Sequence, residues 1–398
     1  MIHALRPYQK AASDAAVSYF LYCRDYGGGL LILPTAAGKS HVIADIAHRL
    51  GSPILIFCPS VEILRQNHEK MERVEKGLST MYSASVGKKD ISMITFATIG
   101  SVDRHPEQFD VFRYVMVDEA HGVDAKGGMY ERFIHRRKDR KVVGLTATPF
   151  RLARGFDGGS VLKFLTRTRP RIFNKVLYCC QVSDLLSQGY IADVTYFDVS
   201  DKTSFDISRV ATNSTGSDYD EESLRLEYKR SGFIYDLFNW TLRVLSPKDG
   251  TKRNGVLVFT RFVQESEQLV RMLGEKGISA AVVTGETPKK ERARIAEDFK
   301  NGKIKVISNS CVYIMGFDYP ALDTVILASP TKSLARYYQE VGRVIRKYDG
   351  KRCWCVDMTY NYKRFGKVSD LKIGLEKPNS ELWAVFSRGR KLTNTPIV

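Results

Sequence analysis

The sequence predicts an α/β fold in two tandem domains, each a parallel sheet with helices on both faces. Short apolar runs alternate with amphipathic stretches across residues 1–150, which is typical of parallel sheets covered by helices. Apolar runs of the same kind resume between residues 255 and 327. At 398 residues, the chain is also too long for a single core of ordinary size.

The predicted elements follow the apolar runs in order. Strands are expected at residues 30–33, 54–57, 91–94, 114–117, 141–145, 255–259, 280–283, 305–307 and 324–327. The stretch 199–230 is polar and poor in apolar residues, which favours a connector or surface insertion. We therefore expect a first domain at 1–192, that connector at 193–232, a second domain at 233–365, and a basic accessory segment at 366–398.

The first strand runs into a phosphate-binding loop with the sequence Pro34-Thr35-Ala36-Ala37-Gly38-Lys39-Ser40. A loop that opens a helix directs backbone N–H groups and the positive end of the helix dipole at an anion. Gly38 lets the backbone approach phosphate, Lys39 would reach the β- and γ-phosphates, and Ser40 would bind magnesium. The full pattern has Gly where Leu33 stands, and the alternative is a chance Gly-Lys-Ser at the start of a helix over residues 39–49.

A second strand ends in the acidic box Asp118-Glu119-Ala120-His121. Asp118 would hold magnesium, and Glu119 would orient and deprotonate the attacking water. The alternative is a pair of solvated carboxylates at a strand end. Another apolar strand ends at Thr146-Ala147-Thr148, whose hydroxyls could bond the acidic box. Together, loop and box predict binding and hydrolysis of a nucleoside triphosphate.

The second domain has no phosphate loop, and its most informative stretch is residues 339–346. On a helix, Gln339, Arg343 and Arg346 share one face, so all three could aim at one target. Arginines on such a domain are suited to stabilising γ-phosphate charge. The alternative is a basic helix face in water.

Composition points to a polyanionic partner. There are 61 Lys and Arg against 44 Asp and Glu, a net charge of +17. The basic residues form clusters at residues 135–141, 167–171, 289–292 and 388–391, each of which could also be a solvated face. No apolar run approaches the ~20 residues of a membrane span. The seven cysteines show no metal-ligand spacing, which favours reduced thiols, no zinc site and a cytoplasmic location.

The ordered motifs resemble those of superfamily-two helicases. They are Leu5-Arg6-Pro7-Tyr8-Gln9, the phosphate loop, the DEAH-type box, Thr146-Ala147-Thr148, Val258-Phe259-Thr260, Gly316-Phe317-Asp318 and residues 339–346. Residues 5–9, 144–152 and 284–288 are most similar to the RadD-like DNA-repair helicases, which are related to restriction helicases. The resemblance implies two RecA-like domains with an ATP cleft between them.

The resemblance also implies a role for each matching residue. Gln9, with Arg6, would recognise adenine, and Gly316 and Asp318 would lie near the ribose. His121, Thr146 and Thr148 would couple hydrolysis to nucleic-acid binding. Gln339, Arg343 and Arg346 would reach the γ-phosphate. The positions expected to touch a bound strand are Pro59, Ser60, Thr98, Thr260 and Arg261.

These features predict an ATP- and magnesium-dependent DNA helicase of repair, recombination or replication, acting on single-stranded, forked or branched DNA, with RNA still open. A branch-migration translocase and an ATP-gated nucleic-acid clamp remain alternatives. Three features depart from the family pattern: Ala36 where relatives usually have Gly, residues 314–315 in place of a hydroxyl, and an end at residue 398 without a cysteine-rich extension. They indicate a shorter relative, such as a phage-encoded one in a host cytoplasm, or a motor core.

Overall fold

The computed structural model describes residues 4–25, 27–124, 127–154, 160–310 and 319–395. The chain divides into two compact units. The first contains the described residues of 1–153, 162–181 and 372–395, and the second contains those of 154–161 and 182–371.

The first unit is built on an eight-stranded sheet with the order β10-β1-β7-β6-β2-β5-β3-β4. Neighbouring strands run parallel except β3 and β4. The strands from the start of the chain to residue 179 are β1 (Gly28–Ile32), β2 (Ile54–Phe57), β3 (Ser79–Ser83), β4 (Lys88–Lys89), β5 (Ile94–Ala97), β6 (Tyr114–Asp118), β7 (Lys141–Thr146), β8 (Phe150–Arg154), β9 (Ser160–Phe164) and β10 (Phe173–Cys179), with β8 and β9 forming a separate two-stranded sheet. The helices are α1 (Pro7–Tyr22), α2 (Lys39–Leu50), α3 (Val61–Val74), α4 (Ile99–Val102) and α5 (Met129–His135).

The second unit contains a six-stranded parallel sheet with the order β11-β16-β15-β12-β14-β13. Its strands are β11 (Val194–Asp198), β12 (Val256–Thr260), β13 (Ala280–Val283), β14 (Val306–Ser310), β15 (Thr324–Ala328) and β16 (Cys353–Asp357). Its helices are α6 (Val182–Ser187), α7 (Glu221–Ser231), α8 (Phe233–Leu245), α9 (Val263–Glu275), α10 (Lys289–Lys300), α11 (Leu334–Val341) and α12 (Asn361–Phe365). A third sheet, of strands β17 (Leu371–Leu375), β18 (Trp383–Ser387) and β19 (Arg390–Lys391), follows.

The predicted α/β class with parallel sheets is confirmed, and most strands begin within two residues of their predicted positions. The central strands β1, β2, β7, β12 and β15 are buried along their whole length, which is why they read as continuous apolar runs. The strand predicted at 91–94 was misplaced: β5 begins at Ile94, since residues 91–93 precede it with Ile91 and Met93 exposed.

The stretch predicted as a connector belongs instead to the fold of the second unit. Within residues 193–232, β11 pairs with β16 at the edge of the six-stranded sheet, and α7 packs on the core. The stretch contributes six spaced apolar residues to that core, Val199, Phe205, Val210, Tyr219, Leu224 and Tyr228. Because these anchors are separated by polar residues, the local composition does not disclose them.

The segment predicted as a C-terminal accessory piece divides between the two units. Residues 366–371 stay with the second unit, and 372–395 return to the first. There Trp383 stacks on Phe164 with ring centroids 6.4 Å apart, and the Gln181 amide donates to the Ile373 carbonyl at 2.8 Å. Within the described ranges, no helix is long and apolar enough to cross a membrane, and the six cysteines described are free of disulfides.

Candidate functional site

The site lies where three neighbouring strands of the first sheet end. β1, β7 and β6 are adjacent and parallel, so the segments that follow them emerge at the same edge. The Leu33 N–H donates to the Thr146 carbonyl at 3.0 Å, which continues the β1–β7 pairing into the start of the loop. The phosphate loop, the acidic box and the Thr146-Ala147-Thr148 stretch, far apart in sequence, therefore meet.

The phosphate loop is a tight turn that depends on two left-handed residues. The Ala37 N–H donates to the Pro34 carbonyl at 3.1 Å, and Gly38 has φ 76° directly before α2 begins at Lys39. A Cβ atom on Gly38 would lie 2.5 Å from the Gln9 amide nitrogen, so a side chain there would displace that amide and would also be strained by the left-handed backbone. Ala36 has φ 67°, a conformation that is strained for any residue with a side chain. The Gly-to-Ala departure noted in the sequence thus falls where the backbone requires a left-handed residue.

Gln9 contacts the phosphate loop through its side chain. Its Nε2 donates to the Ala37 carbonyl at 2.8 Å, and its Oε1 accepts the Arg6 N–H at 3.0 Å. The Tyr8 hydroxyl donates to the same Ala37 carbonyl at 3.0 Å. Both polar atoms of Gln9 are therefore engaged within the protein, and the side chain is buried. The structure places Gln9 and Arg6 beside the loop, and adenine recognition by them stays a prediction.

An ion pair joins the loop to the acidic box. Lys39 Nζ lies 2.7 Å from Glu119 Oε1, and both side chains are largely shielded from solvent. Glu119 has φ 52° and ψ 52°, a left-handed conformation that is uncommon for a glutamate and typical of strained functional positions. This pair brings together the lysine expected on phosphate and the carboxylate expected on water.

Asp118 is buried at the end of β6, with 4% of its surface exposed. Its Oδ1 accepts the Glu119 N–H at 3.0 Å, and its Oδ2 accepts the Asn67 Nδ2–H at 2.9 Å. Burial, together with the negative charge of Glu119, raises the pKa of Asp118 to about 6. A cation placed at this carboxylate, in addition to the nearby Lys39, would therefore stabilise the ionised form of Asp118.

His121 connects the acidic box to the end of β7. Its Nδ1 lies 3.0 Å from Thr146 Oγ1 and 3.4 Å from Glu119 Oε2. Thr146 Oγ1 also accepts the Thr148 N–H at 3.0 Å. Burial lowers the pKa of His121, which favours the neutral imidazole. Glu119, His121, Thr146 and Thr148 thus form one continuous chain of polar contacts.

The residues at this edge fit a magnesium ion. Mg²⁺ prefers oxygen ligands and is usually held by one or two carboxylates plus substrate phosphates and waters. The Ser40 hydroxyl on the first turn of α2 and the buried Asp118 carboxylate are such oxygens. Asn67 Oδ1 is a buried acceptor without a hydrogen-bond partner, and a hydrated cation would bring the donors it lacks. Across the described ranges, no three His, Cys, Asp or Glu side chains could hold a metal by themselves.

The residues expected to contact a bound nucleic-acid strand differ in their exposure to solvent. Pro59 and Ser60 follow β2 and Thr98 follows β5, so all three lie at the carboxyl ends of adjacent strands. Pro59 is exposed, Ser60 caps α3 by accepting the Ile63 N–H at 3.3 Å, and Thr98 contacts Ser101.

In the second unit, the two residues expected to contact nucleic acid, Thr260 and Arg261, both make contacts within the protein. Thr260 is buried, and its hydroxyl bonds Ser266 Oγ at 2.7 Å. The Arg261 guanidinium pairs with Asp218 at 3.2 Å and with Glu221 at 3.1 Å. Internal hydrogen bonds thus use the Thr260 hydroxyl, and contact of Thr260 and Arg261 with a nucleic-acid strand stays a prediction.

The predicted shared helix face of Gln339, Arg343 and Arg346 was also wrong. α11 ends at Val341, so only Gln339 is helical. Arg343 is 6% exposed in the turn that follows, and Arg346 forms an isolated antiparallel bridge with Ile191. The Gly342 N–H still makes a helical bond to the Tyr338 carbonyl, but the Arg343 and Val344 N–H groups bond carbonyls only three residues back, and the chain then turns into that bridge. Gly316 and Asp318 lie outside the described residues.

Asn67 is the residue that the sequence analysis missed. It is 1% exposed and lies on the inner face of α3, where Leu64 and Met71 are the other buried residues. Its Nδ2 also contacts Cys58 Sγ at 3.5 Å. A single amide in an apolar helical stripe is the sequence signal, because a buried amide needs a partner.

Two families match the chain. "Type III restriction enzyme, res subunit" matches residues 2–151, and "Helicase conserved C-terminal domain" matches residues 237–348. The first matched range contains the phosphate loop and the acidic box. The second contains the turn at residues 342–346 that carries Arg343 and Arg346.

Relatives extend over most of the chain. A "51.5 kDa protein" of Lactococcus phage (isolate 7-9) is 25% identical over 339 residues, covering 84% of this chain and 66% of the relative. "DNA 3'-5' helicase XPB" of Kineococcus radiotolerans is 26% identical over 356 residues, covering 86% and 57%. The chain thus spans between about half and two thirds of these relatives.

A solved structure shows the same fold. "ATP-dependent Type ISP restriction-modification enzyme LlaBIII bound to DNA" aligns with a TM-score of 0.62 at 18% identity, over 89% of this chain and 28% of that one. The fold of this chain is therefore a known one.

Proposed function

The chain belongs to the superfamily-two helicases related to restriction helicases, and we propose that it is an ATP-driven motor that moves on DNA. The observation that carries this proposal is the 2.7 Å contact between Lys39 and Glu119 at the carboxyl edge of the first sheet. It supports the proposal because the lysine that we assign to phosphate and the carboxylate that we assign to water lie together next to the buried Asp118.

In this proposal, ATP phosphates displace Glu119 from Lys39. The lysine then neutralises phosphate charge, together with the N–H groups at the start of α2. The released Glu119 carboxylate accepts a proton from the attacking water. Its strained left-handed backbone keeps the carboxylate at the loop, and His121 holds it from the other side.

Ser40 and Asp118 would hold Mg²⁺, which supplies positive charge to the phosphates when bound. The raised pKa of Asp118 supports this role, because a cation would stabilise its ionised form. Glu119, His121, Thr146 and Thr148 would couple ATP hydrolysis to binding of the nucleic-acid strand, through the polar contacts described above. Arg343 and Arg346 would act on the γ-phosphate, as the family resemblance implies.

The site is tested by a matched pair of variants. Lys39→Ala should abolish ATP turnover while DNA binding remains, because it removes charge at phosphate and little core. Glu119→Gln should still bind ATP but not hydrolyse it, because an amide cannot accept the proton from water. Turnover like that of the unmodified protein in Lys39→Ala, or loss of ATP binding in Glu119→Gln, would contradict the assignment.

The specific activity that we propose is DNA unwinding. A comparison of nucleic-acid substrates tests it. ATPase rates are measured side by side with single-stranded, duplex, forked and four-way DNA, and with RNA. Stimulation by DNA with strand separation of a forked substrate supports a helicase. Branch migration of four-way DNA without strand separation would favour the translocase, and slow turnover on every substrate would favour the clamp.

A further inference from the structure

Two of the basic clusters, which are more than 200 residues apart in sequence, meet on the first unit. Arg167 Nη1 and Lys391 Nζ lie 2.9 and 3.6 Å from the same oxygen, Oε1 of Glu376. Asn394 Nδ2 donates to this oxygen at 2.9 Å, while Asn394 Oδ1 accepts the Phe164 N–H at 3.1 Å. The C-terminal sheet is thereby fixed against the segment that leads into β10.

The charge carried by these two segments is large. Residues 162–181 and 372–395 contain ten Lys and Arg against two Glu, a net charge of +8, which is close to half of the +17 of the whole chain. The composite basic patch, as we call it, comprises Arg167, Arg169, Arg171, Arg388, Arg390 and Lys391. Four of its members, Arg169, Arg171, Arg388 and Arg390, are exposed.

The basic cluster at 135–141 has a different use. Arg136 pairs with Asp110 and Arg137 with Asp139, each at 2.7 Å. Arg140 is buried and donates to the Phe112 carbonyl at 3.1 Å, and Lys141 Nζ donates to the Phe20 carbonyl at 2.7 Å. Two of its basic residues are thus buried and two are paired with carboxylates, while Lys138 is exposed, so this cluster offers less unbalanced charge to a polyanionic partner.

The composite basic patch lies far from the residues predicted to contact a nucleic-acid strand. Arg171 lies near the amino end of β10, because the adjoining Ile172 carbonyl accepts the Gly28 N–H at 3.0 Å, whereas Pro59 and Ser60 follow β2 at the carboxyl end. Arg167 lies nearer the carboxyl end, since the Leu165 N–H donates to the Pro149 carbonyl at 2.8 Å. β10 and β2 are also four places apart in the sheet, or about 19 Å at ~4.8 Å per strand. The patch is therefore suited to phosphates other than those at Pro59, Ser60 and Thr98.

We propose that the composite basic patch binds the phosphate backbone of a DNA duplex flanking the strand on which the motor acts. Duplex DNA carries one negative charge per ~1.7 Å of axis, and a broad surface with dense positive charge matches it better than a single strand. The proposal rests on the proposed function for its partner, nucleic acid, but not on ATP hydrolysis.

The test compares two fourfold variants of the full chain. In the patch variant, Arg169, Arg171 and Arg390 become Gln and Arg388 becomes Asn, because Arg388 has φ 49°, which Asn tolerates. In the control variant, the exposed Arg73, Lys76, Arg104 and Lys138 of the same unit become Gln, which removes the same charge. Binding to a duplex with a single-stranded tail, and to the single strand alone, is measured by fluorescence anisotropy across a salt series.

The patch variant should lose affinity for the tailed duplex, and its slope of log affinity against log salt should become shallower by about 3 to 4, at ~0.9 per phosphate contact. The control variant should keep the original slope, and ATP turnover without DNA should be unchanged in both. An unchanged slope in the patch variant, or equal losses in both variants, would overturn the proposal. An equal loss on the single strand alone would overturn the duplex assignment. Failure of the proposed function would appear separately, as normal turnover in Lys39→Ala.

Discussion

Single side chains at the end of β6 decide what the candidate site can do. Asp118 and Glu119 are adjacent in sequence but have different surroundings. Asp118 is buried and bonded to Asn67, whereas Glu119 pairs with Lys39. In the proposed function, the first carboxylate holds a cation and the second separates from Lys39 when phosphate binds. Environment, and not residue type, separates the two roles.

Asn67→Leu tests whether this amide positions Asp118. Leucine has a similar volume but no donor for Asp118 Oδ2, so the carboxylate loses one of its two recorded hydrogen bonds. Turnover at limiting magnesium should fall about 10- to 100-fold, as for other residues that orient a metal ligand. The magnesium concentration for half-maximal turnover should rise, and magnesium binding to the protein–nucleotide complex, followed by calorimetry, should weaken.

Cys58→Ala is the control for that experiment, because it removes the other contact of the same Asn67 nitrogen. It should leave the magnesium requirement unchanged. An Asn67→Leu protein with the original magnesium requirement would show that Asn67 is only a packing residue.

The elements of the second unit differ from the sequence prediction mainly at their ends. α11 ends at Val341, and residues 342–346 leave the helix for the bridge between Arg346 and Ile191. Periodicity extended the helix by five residues because Arg343 and Arg346 continue its spacing. The arginines are therefore positioned by a turn and a backbone bridge, which constrain Arg346 more than a solvated helix end would.

Arg346→Ala should reduce ATP turnover sharply with saturating DNA. The loss expected is about 10³-fold or more, as for an arginine that stabilises transferring phosphate. ATP affinity should change much less, since Lys39 remains. Lys347→Ala, at the exposed neighbouring position, is the control and should stay within a few-fold. Near-normal maximal turnover in Arg346→Ala would remove this residue from the reaction.

Stability of the whole chain should depend on pH through Asp357. This carboxylate is buried at the end of β16, and burial raises its pKa to about 7. The folded protein therefore holds this proton more tightly than the unfolded chain does, so the stabilisation is complete below pH about 4 and is lost as pH rises towards 7.

Asp357→Asn checks that contribution. The variant cannot titrate at this position, so the difference in unfolding free energy between the original protein and the variant should shrink as pH rises from about 4 to about 7. Thermal or urea unfolding at several pH values measures it. Because Asn also places an amide against the Tyr362 N–H, it should be less stable overall. A difference that stays constant with pH would contradict the shifted pKa.

Local patterns were sufficient for much of this protein. The phosphate loop, the acidic box, the α/β class and most strands could be read from the chain, because each depends on neighbouring residues: an apolar run, a glycine turn, a helix start. The pairing of a phosphate loop with an acidic box also predicted that Lys39, Asp118 and Glu119 would act on one nucleoside triphosphate.

Contacts between distant segments could not be read in this way. The bond from Asn67 to Asp118 joins α3 to β6, and Glu376 gathers Arg167 and Lys391 from segments more than 200 residues apart. The polar stretch at 199–230 belongs to a core through widely spaced anchors. Composition and periodicity record only neighbours along the chain, whereas these features depend on which surfaces the fold brings together.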